Sequence, residues 1–295
     1  MFAIPQGLIE VTRRREGEAG DAWLAALPQL VDQACRTWGC TISGPPVHGE
    51  VALVLLVERA AGPATVKISY PHPGNLGEAA ALRHFDGAAA VHLLDASADE
   101  LTLLLERAGP ATLASRPTAE AIEVAGRLAR RLATPAAANA PSLSSTTGSW
   151  LRQLEQQAAA QPGLVTRGHL DRARGAIRQL SRDTGTTMLH GDLHFDNVLA
   201  ATREPWLVID PKGWRGTPAF ETFTVIAGHH EELEAHSNLP RALARRISRF
   251  ATAAEVDPEL ALQCCQARAT SAYLHQGAQH GSWFDVQVLR ALLDL

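Results

Sequence analysis

The sequence predicts an α+β protein in which a small sheet-containing part, residues 1–108, precedes a larger and mainly helical part, residues 109–295. Two observations support this division. Apolar, β-branched runs bounded by turn residues are concentrated in the first part, whereas apolar residues at helical spacing dominate the second. The change of pattern falls at Gly109-Pro110, a dipeptide that interrupts both helices and strands.

The composition excludes several classes of partner. The 27 basic and 31 acidic residues give a formal net charge of -4, so no net positive field attracts nucleic acid or anionic lipid. The longest apolar run extends only from Val51 to Val57, whereas a helix needs about 20 apolar residues to cross a bilayer. The cysteines form no C-x-x-C pair and no apolar leader opens the chain, so we expect a cytoplasmic protein with reduced thiols.

The first part is expected to combine helices with short strands. We expect a helix over residues 21–38 in two pieces, because Pro28 disrupts a helix interior but suits the first turn of a helix. The apolar runs 51–58 and 65–68 are joined by Ala-Ala-Gly-Pro and predict a β-hairpin. The elements expected next are a helix at 77–85 and strands at 90–94 and 101–106.

The second part is expected to be helical except around residues 187–210. A helix over 118–132 is followed by a linker over 134–148 that is rich in Ala, Pro, Ser and Thr. The elements expected after the linker are short strands at 187–189, 198–200 and 206–210, and helices at 219–235, 240–255, 258–279 and 284–293.

A dense group of polar side chains lies among those short strands. The string His190-Gly-Asp-Leu-His-Phe-Asp-Asn197 separates two apolar strands, and the next strand ends at Asp210. The side chains of Asp192, Asn197 and Asp210 offer oxygen atoms, which suit a hard cation such as Mg²⁺. Because Mg²⁺ takes few protein ligands and completes its shell with water and phosphate oxygens, a nucleotide is implied as a second ligand.

The spacing of Asp192 and Asn197, with a later Asp210, is that of the phosphoryl-transfer loop in kinase-like enzymes. In that loop the first Asp orients the acceptor hydroxyl, and the Asn and the later Asp hold the metal. The spacing alone also fits a turn stabilised by side-chain hydrogen bonds to the backbone. The His-Gly-Asp opening and the flanking strands favour phosphoryl transfer.

Candidate nucleotide-binding residues precede this loop. Lys67 lies inside an apolar strand, where its charge is costly unless it is paired, and Glu78 at the start of the next helix is a suitable partner. Together they would grip the α- and β-phosphates. The strand 101–106 leads into a hinge in which backbone groups around Glu106 and Ala108 would meet the adenine edge. Each residue also has a purely structural explanation, as a solvent-seeking lysine or a helix-start glutamate.

These motifs together resemble the aminoglycoside and hydroxyurea antibiotic-resistance kinase family, and within it the streptomycin 6-phosphotransferases. The segments that carry the resemblance are Leu24–Pro28, Arg36–Gly39, Glu78–Phe85, Leu103–Arg107, His190–Asn197, Ile209–Gly213 and Pro218–Glu221. The resemblance implies a protein-kinase-like two-lobe fold, ATP with Mg²⁺, and transfer of the γ-phosphoryl group to a hydroxyl of a small molecule. It also implies that Asp192 is the catalytic base, that Asn197 and Asp210 bind the metal, and that Lys67 binds phosphate.

The chain departs from protein kinases at three motifs, and the last of these departures, after Asp210, points to a small acceptor. No G-x-G-x-x-G precedes Lys67, His-Gly-Asp replaces His-Arg-Asp, and Asp210 is followed by Pro-Lys-Gly rather than Phe-Gly. A streptomycin-like aminoglycoside, hydroxyurea and an endogenous sugar or polyol remain open as acceptors. Acceptor contacts are expected from the second part, and the candidates are 229–236, Trp214, Arg215, Trp283, Phe284 and Asp285.

Two other classes of protein remain as alternatives. The string His190-x-Asp192-x-His194 would suit a zinc or iron hydrolase if further ligands were found. That hypothesis leaves Lys67 and Asn197 without a role. A pseudokinase that binds nucleotide without transferring phosphate is the second alternative, but a pseudokinase is expected to have lost one of the catalytic residues, and none is missing here. The sequence makes no prediction about the oligomeric state.

Overall fold

The computed structural model describes residues 3–183, 185–234, 236–278 and 286–295. The helices are α1 (Gln6–Trp38), α2 (Glu78–Phe85), α3 (Thr118–Leu132), α4 (Leu143–Ala160), α5 (Arg167–Ser181), α6 (Thr222–Ile226), α7 (His230–Glu234), α8 (Leu239–Ala254), α9 (Pro258–Ala278) and α10 (Val286–Leu293). The strands are β1 (Cys40–Ile42), β2 (Val47–His48), β3 (Ala52–Arg59), β4 (Ala64–Ser69), β5 (Leu93–Ala96), β6 (Thr102–Glu106), β7 (Thr187–Met188), β8 (Val198–Ala200), β9 (Trp206–Val208) and β10 (Arg215–Gly216).

The chain forms two compact units. The first comprises Met1–Gly109 together with Ala201–Lys212, and the second comprises Pro110–Ala200 together with Gly213–Leu295. A single division at residue 108 therefore misses the segment 201–212. This segment joins the first unit because the N–H of Val208 donates to the carbonyl of Ala89 at 2.8 Å, and the N–H of Val91 donates back to the carbonyl of Val208 at 3.1 Å.

The first unit is built on an antiparallel sheet with the strand order β1-β3-β4-β6-β5, and β2 also pairs with β3. The predicted hairpin is present as β3 and β4. In β4, Lys67 lies opposite Val54 of β3 and Leu103 of β6. Side chains of β3 and β4, such as Leu55 and Val66, pack with α1 in a core that is closed to solvent. Lys67 is thus held in the middle of a rigid sheet.

Helix α1 differs from its prediction, since it begins at Gln6 and runs through Pro28. The expected break at Pro28 was wrong. Buried residues on either side of the proline, Leu24 and Val31 among them, pack α1 onto the sheet and offset the hydrogen bond that Pro28 cannot make. The helix is instead interrupted at Gly17, whose φ of 58° and ψ of -135° are not helical.

The second unit is mainly helical, and α9 lies at its centre in contact with α4, α5, α6, α8 and α10. Helix α3 has the predicted bounds. The expected linker over 134–148 is wrong from Leu143 onward, because α4 begins there with the Ser142 side chain accepting the N–H of Ser144. The single helix expected over 219–235 is divided into a 3-10 helix at Pro218–Glu221, α6 and α7. Within the described ranges, no helix is long and apolar enough to cross a membrane.

Candidate functional site

A buried cluster of charged side chains lies on β4 of the first unit. Lys67 is 9% exposed, and its Nζ donates to Glu78 Oε2 at 2.7 Å and to Asp210 Oδ1 at 2.8 Å. Lys212 Nζ lies 2.9 Å from the same Asp210 oxygen. The structure thus brings together three of the residues singled out in the sequence, Lys67, Glu78 and Asp210.

Burial and the neighbouring charges together set the pKa values in this cluster. Burial alone would lower the pKa of Lys67, but the carboxylates of Glu78 and Asp210 outweigh it and raise that pKa. Burial would raise the pKa of Asp210, yet Lys67 and Lys212 hold it well below its usual range. For Glu78, burial dominates and raises the pKa despite Lys67. Lys67 and Asp210 are therefore firmly charged at neutral pH, whereas Glu78 is the member of the cluster that protonates most easily.

Local backbone geometry places Asp210 and Glu78 beside Lys67. Asp210 has a φ of 58°, a left-handed conformation that is uncommon for residues other than glycine but is tolerated by Asp. A Cβ atom on Gly77, the residue before α2, would lie 2.4 Å from the carbonyl oxygen of Lys212. Only glycine allows the start of α2 to approach the 210–213 segment this closely. Glu78 follows directly and points its carboxylate at Lys67.

The second unit carries the loop that contains Asp192 and Asn197. Gly191 has a φ of 87°, which favours glycine and turns the chain sharply between the buried His190 and the partly buried Asp192. Asn197 is buried, and its Nδ2 donates to the Asp192 carbonyl at 2.9 Å. This bond fixes the amide, so that Asn197 Oδ1 is its only atom left to act as a metal ligand.

Glu221 holds this loop from behind. Its carboxylate is 1% exposed, and its two oxygens accept the N–H of Gly191 at 2.6 Å and the N–H of Leu193 at 3.3 Å. Burial raises the pKa of Glu221 to about 7, although the two N–H groups and the charge of Arg268 oppose the rise. The carboxylate is hydrogen-bonded to the backbone on both sides of Asp192, so we describe Glu221 as a positioning residue.

From the sequence, Glu221 was singled out only as the last residue of the Pro-Ala-Phe-Glu motif, with no role of its own. A signal was nevertheless present. Glu221 is the single charged residue in the apolar stretch 218–227, and an acid at such a place is buried only where donors compensate for it. Spacing does not reveal which donors those are, because they belong to a loop about thirty residues earlier in the chain.

Of the two expected hinge residues, Glu106 is the last residue of β6 and Ala108 lies just beyond it. The N–H of Glu106 donates to the carbonyl of His92 at 2.9 Å, so it is already used within the sheet. Its carboxylate receives Nε and Nη2 of Arg203 at 3.0 and 2.9 Å. Burial would raise the pKa of Glu106, but the bonds from Arg203 and from the His92 N–H lower it. Any contact with adenine is therefore left to the carbonyl of Glu106 and to the backbone of Ala108.

The donor atoms fit a magnesium ion better than a transition metal. Each unit offers hard oxygen atoms of its own, Asn197 Oδ1 in the second unit and the Asp210 carboxylate in the first, and Mg²⁺ typically takes only one or two protein ligands beside phosphate oxygens. Within the described ranges, no group of three or more His, Cys, Asp or Glu side chains is arranged to hold a metal ion. His190 Nδ1 accepts the N–H of Asp192 at 3.2 Å, which is not the geometry of a ligand pair. In the part of the chain that the structure describes, the hydrolase alternative thus has no supporting site.

The residues suggested for acceptor contacts are dispersed. His229 is bound on both ring nitrogens, by Thr118 Oγ1 and by the carbonyl of Ala114, each at 2.8 Å, which is a structural role. Arg215 Nε donates to the carbonyl of Ala140. Trp214 lines a cleft in the second unit. The other aromatic and acidic candidates, Trp283, Phe284 and Asp285, lie outside the described residues.

Comparison with protein families and curated sequences identifies relatives over most of the chain. Residues 37–276 match the model of the aminoglycoside/hydroxyurea antibiotic resistance kinase family. A streptomycin 6-kinase of Streptomyces glaucescens is 36% identical over 251 residues, which cover 84% of this chain and 82% of that protein. A hydroxyurea phosphotransferase of Kitasatospora aureofaciens is 38% identical over 229 residues, which cover 76% of this chain and 67% of that protein.

Comparison with solved structures shows the fold. A spectinomycin phosphotransferase, solved with ADP and spectinomycin, superposes with a TM-score of 0.59 at 12% identity, covering 90% of this chain and 98% of that one. A choline kinase of Streptococcus pneumoniae gives a TM-score of 0.59 at 9% identity, covering 91% and 99%. The expected protein-kinase-like fold is confirmed. The chain belongs to the aminoglycoside/hydroxyurea antibiotic resistance kinase family, and it is accordingly a phosphotransferase of small molecules.

Proposed function

We propose that this enzyme transfers the γ-phosphoryl group of ATP to a hydroxyl group of a streptomycin-like aminoglycoside. The observation that carries the proposal is the buried cluster of Lys67, Glu78 and Asp210, in a chain 36% identical to a streptomycin 6-kinase. A buried carboxylate and a partly buried one around a single lysine have no purely structural advantage over apolar residues of the same size. The cluster is therefore best explained as machinery for a charged ligand.

The charged ligand that suits this cluster is ATP with Mg²⁺. Lys67, held in place by Glu78, would bind phosphate oxygens. Asn197 and Asp210 would hold Mg²⁺, which neutralises charge on the phosphates. The spectinomycin phosphotransferase of the same fold was solved with ADP, and this supports a nucleotide as the donor. An ATP donor and the free cysteines of the described residues also favour the cytoplasm as the location.

Asp192 is the residue we propose as the catalytic base. Its backbone is fixed on both sides by Glu221 and through its carbonyl by Asn197, so its carboxylate projects from a rigid loop. It would accept a hydrogen bond from the acceptor hydroxyl and align the oxygen for in-line attack. In phosphoryl transfer the protein contributes mainly positioning and charge neutralisation, which is what such a loop provides.

A second acceptor is hydroxyurea. The hydroxyurea phosphotransferase covers less of this chain than the streptomycin 6-kinase does, but its identity is slightly higher, at 38% against 36%. The family relationship alone therefore does not decide between streptomycin and hydroxyurea as the acceptor. Both acceptors present a hydroxyl group to the same base. An endogenous sugar or polyol would use that base in the same way.

An ADP-release assay coupled to NADH oxidation tests the proposal. The purified enzyme is given Mg·ATP and one acceptor at a time: streptomycin, spectinomycin, hydroxyurea, glucose or myo-inositol. We expect streptomycin to give the highest kcat/KM, and mass spectrometry to show a product heavier by one phosphoryl group. Turnover of hydroxyurea alone, or of the simple polyols alone, would identify that compound as the acceptor and exclude streptomycin. ADP release that does not depend on any acceptor would contradict phosphoryl transfer altogether.

A further inference from the structure

A cleft with a volume of about 390 Å³ opens in the second unit. Side chains of α4, α9 and the segment 214–223 line it, all of them within this one unit. The cleft adjoins the catalytic loop, because the carbonyl of Trp214 accepts the N–H of Leu189 at 2.7 Å and Phe220 directly precedes Glu221. Arg268 of the cleft lining also interacts electrostatically with Asp192, so the cleft is a neighbour of the loop that carries the proposed base.

Aromatic rings form the walls of this cleft. Phe220 is buried between two partly exposed indoles: its ring centroid is 6.4 Å from that of Trp150, at 85° between the planes, and 6.1 Å from that of Trp214, at 45°. Trp150 Nε1 donates to Ser271 Oγ at 2.6 Å. The polar atom of Trp150 is thus satisfied and its ring is fixed, which leaves the apolar faces of the indoles for a ligand.

The charge of the cleft is unusual for a site that receives a cation. Arg268 is among the lining residues, with its guanidinium carbon 4.6 Å from the Phe220 centroid and 4.9 Å from the Phe223 centroid. The other polar lining groups are neutral, such as Gln153 and Ser271, and no Asp or Glu of the described residues lines the cleft. Glu221 balances the charge of Arg268 from the side of the catalytic loop, where it is closed to solvent.

A cationic group entering this cleft would lose its water beside the guanidinium of Arg268 and find no carboxylate among the described residues of the cleft lining to pair with, which is costly. An uncharged ring that bears hydroxyl groups meets no such penalty. Its C–H faces would stack on Trp150 and Trp214, and its hydroxyls would bond to Gln153 and to the N–H groups of Arg268. Mainly apolar walls with a few placed polar groups are typical of small-molecule sites.

We propose that this cleft is an acceptor subsite that takes an uncharged, hydroxyl-bearing ring of the aminoglycoside and leaves the cationic groups outside it. The proposal deepens the proposed function and rests on it. In this subsite Trp150 and Trp214 form the walls that contact the ring, and the charge of Arg268 disfavours cationic groups.

Substitutions at Trp150 test the stacking surface. Trp150→Phe keeps an aromatic face and loses only the bond to Ser271, whereas Trp150→Leu removes the face and keeps an apolar side chain. We expect Trp150→Leu to raise the KM for streptomycin by about 5- to 10-fold with the KM for ATP unchanged, and Trp150→Phe to stay within about twofold. Trp38→Leu, at a partly buried tryptophan of α1 that does not line the cleft, is the matched control. Equal acceptor KM values for Trp150→Leu and wild type would overturn the proposal.

A charge substitution tests which part of the acceptor enters. Gln153→Glu places a carboxylate on the cleft, and Gln156→Glu places one on an exposed part of α4 outside it. If an uncharged ring occupies the cleft, Gln153→Glu leaves the KM for streptomycin the same or raises it. If instead a cationic group occupies the cleft, Gln153→Glu lowers that KM by up to about fivefold relative to Gln156→Glu, and the proposal is wrong.

Binding without turnover separates this inference from the proposed function. We expect myo-inositol, a neutral polyol, to quench tryptophan fluorescence of the wild type and not of Trp150→Leu, and methylguanidinium to leave both unchanged. Absence of phosphoryl transfer to any acceptor, with this polyol response intact, would contradict the proposed function alone. Transfer to streptomycin with quenching by methylguanidinium and none by myo-inositol would contradict the inference alone. Melting curves identify any variant that does not fold, and the Gln153→Glu comparison then decides.

Discussion

Lys67 and Glu78 form an ion pair with 2.7 Å between Nζ and Oε2, and both side chains are almost completely withdrawn from solvent. Taking two charges out of water costs several kcal/mol for each ion, and their attraction rarely returns much more than that. A pair of apolar residues would stabilise this sheet as well or better. The pair is therefore better explained by a functional role, in which Glu78 keeps the ammonium group of Lys67 in place for a ligand, than by a contribution to stability.

Replacing Lys67 by Met separates the two roles of this pair. The substitution leaves Glu78 buried without its partner, and breaking a buried pair in this way costs about 3–5 kcal/mol of unfolding free energy. The same change removes the phosphate-binding charge, so we expect kcat/KM for ATP to fall by about 100-fold or more. Urea unfolding and the coupled ADP assay measure the two effects on one preparation.

The double variant Lys67→Met/Glu78→Gln is the informative control. It removes both charges of the pair, so most of the lost stability should return, because no uncompensated carboxylate stays buried. Activity should not return. A double variant as active as the wild type would show that Lys67 serves only the fold and would remove it from the nucleotide site.

Replacing Asp192 by Asn tests the proposed base. The amide keeps the size of the carboxyl and cannot accept the hydroxyl proton, so kcat should fall by about 100- to 10,000-fold. Nucleotide affinity, measured by calorimetry with ADP, should change by no more than about twofold, since the loop backbone remains bound to Glu221 and Asn197. Asp196→Asn, at an exposed acid of the same loop, provides the matched comparison and should keep near-normal turnover.

The candidate site was predictable to the extent that its residues carry local signals. Lys67 stands in an apolar strand and Asp192 opens a recognisable loop, so both are found from short stretches of sequence. Glu221 was missed as a functional residue because its role depends on two backbone N–H groups far away in the chain. The passage of α1 through Pro28 was also missed, because burial of the apolar face of the helix outweighs the local effect of the proline. Long-range packing is what local patterns do not encode.

Gly77 offers a test of the close packing behind the charged cluster. A Cβ atom there would lie 2.4 Å from the Lys212 carbonyl, so Gly77→Ala must push α2 away from the 210–213 segment. We expect a loss of about 1–3 kcal/mol of unfolding free energy and a raised KM for ATP, because Glu78 and Asp210 move with the two segments. Gly49→Ala is the control, since a Cβ atom on Gly49 meets nothing within 4 Å. Equal stability of the two variants would mean that the approach at Gly77 is not tight.

Because Glu221 titrates near neutral pH, we expect a rise in pH to lower the stability of the protein and to raise its activity. The pKa of its carboxyl lies at about 7 in the folded chain, raised from an ordinary 4.5. Between these pH values the folded state binds more protons than the unfolded state, so the contribution of Glu221 to stability falls as pH rises. The shift corresponds to about 3 kcal/mol over that range. Activity should rise over the same range, because the ionised carboxylate accepts both loop N–H groups and the protonated form presents an O–H donor in place of one acceptor.

Glu221→Gln removes both effects at once. We compare the unfolding free energy of the variant with that of the wild type at the same pH. This difference should move in favour of the variant between pH 5 and pH 8, because its amide does not ionise. Its kcat should be about 10- to 100-fold lower, since one amide N–H then opposes a loop N–H, and the rise of kcat between pH 6 and 8 should disappear while the KM for ATP stays nearly constant. Glu259→Gln, at an exposed acid of α9, should keep the wild-type profile. A Glu221→Gln enzyme with an unchanged pH profile would show that the carboxylate fills space behind the loop without controlling the position of Asp192.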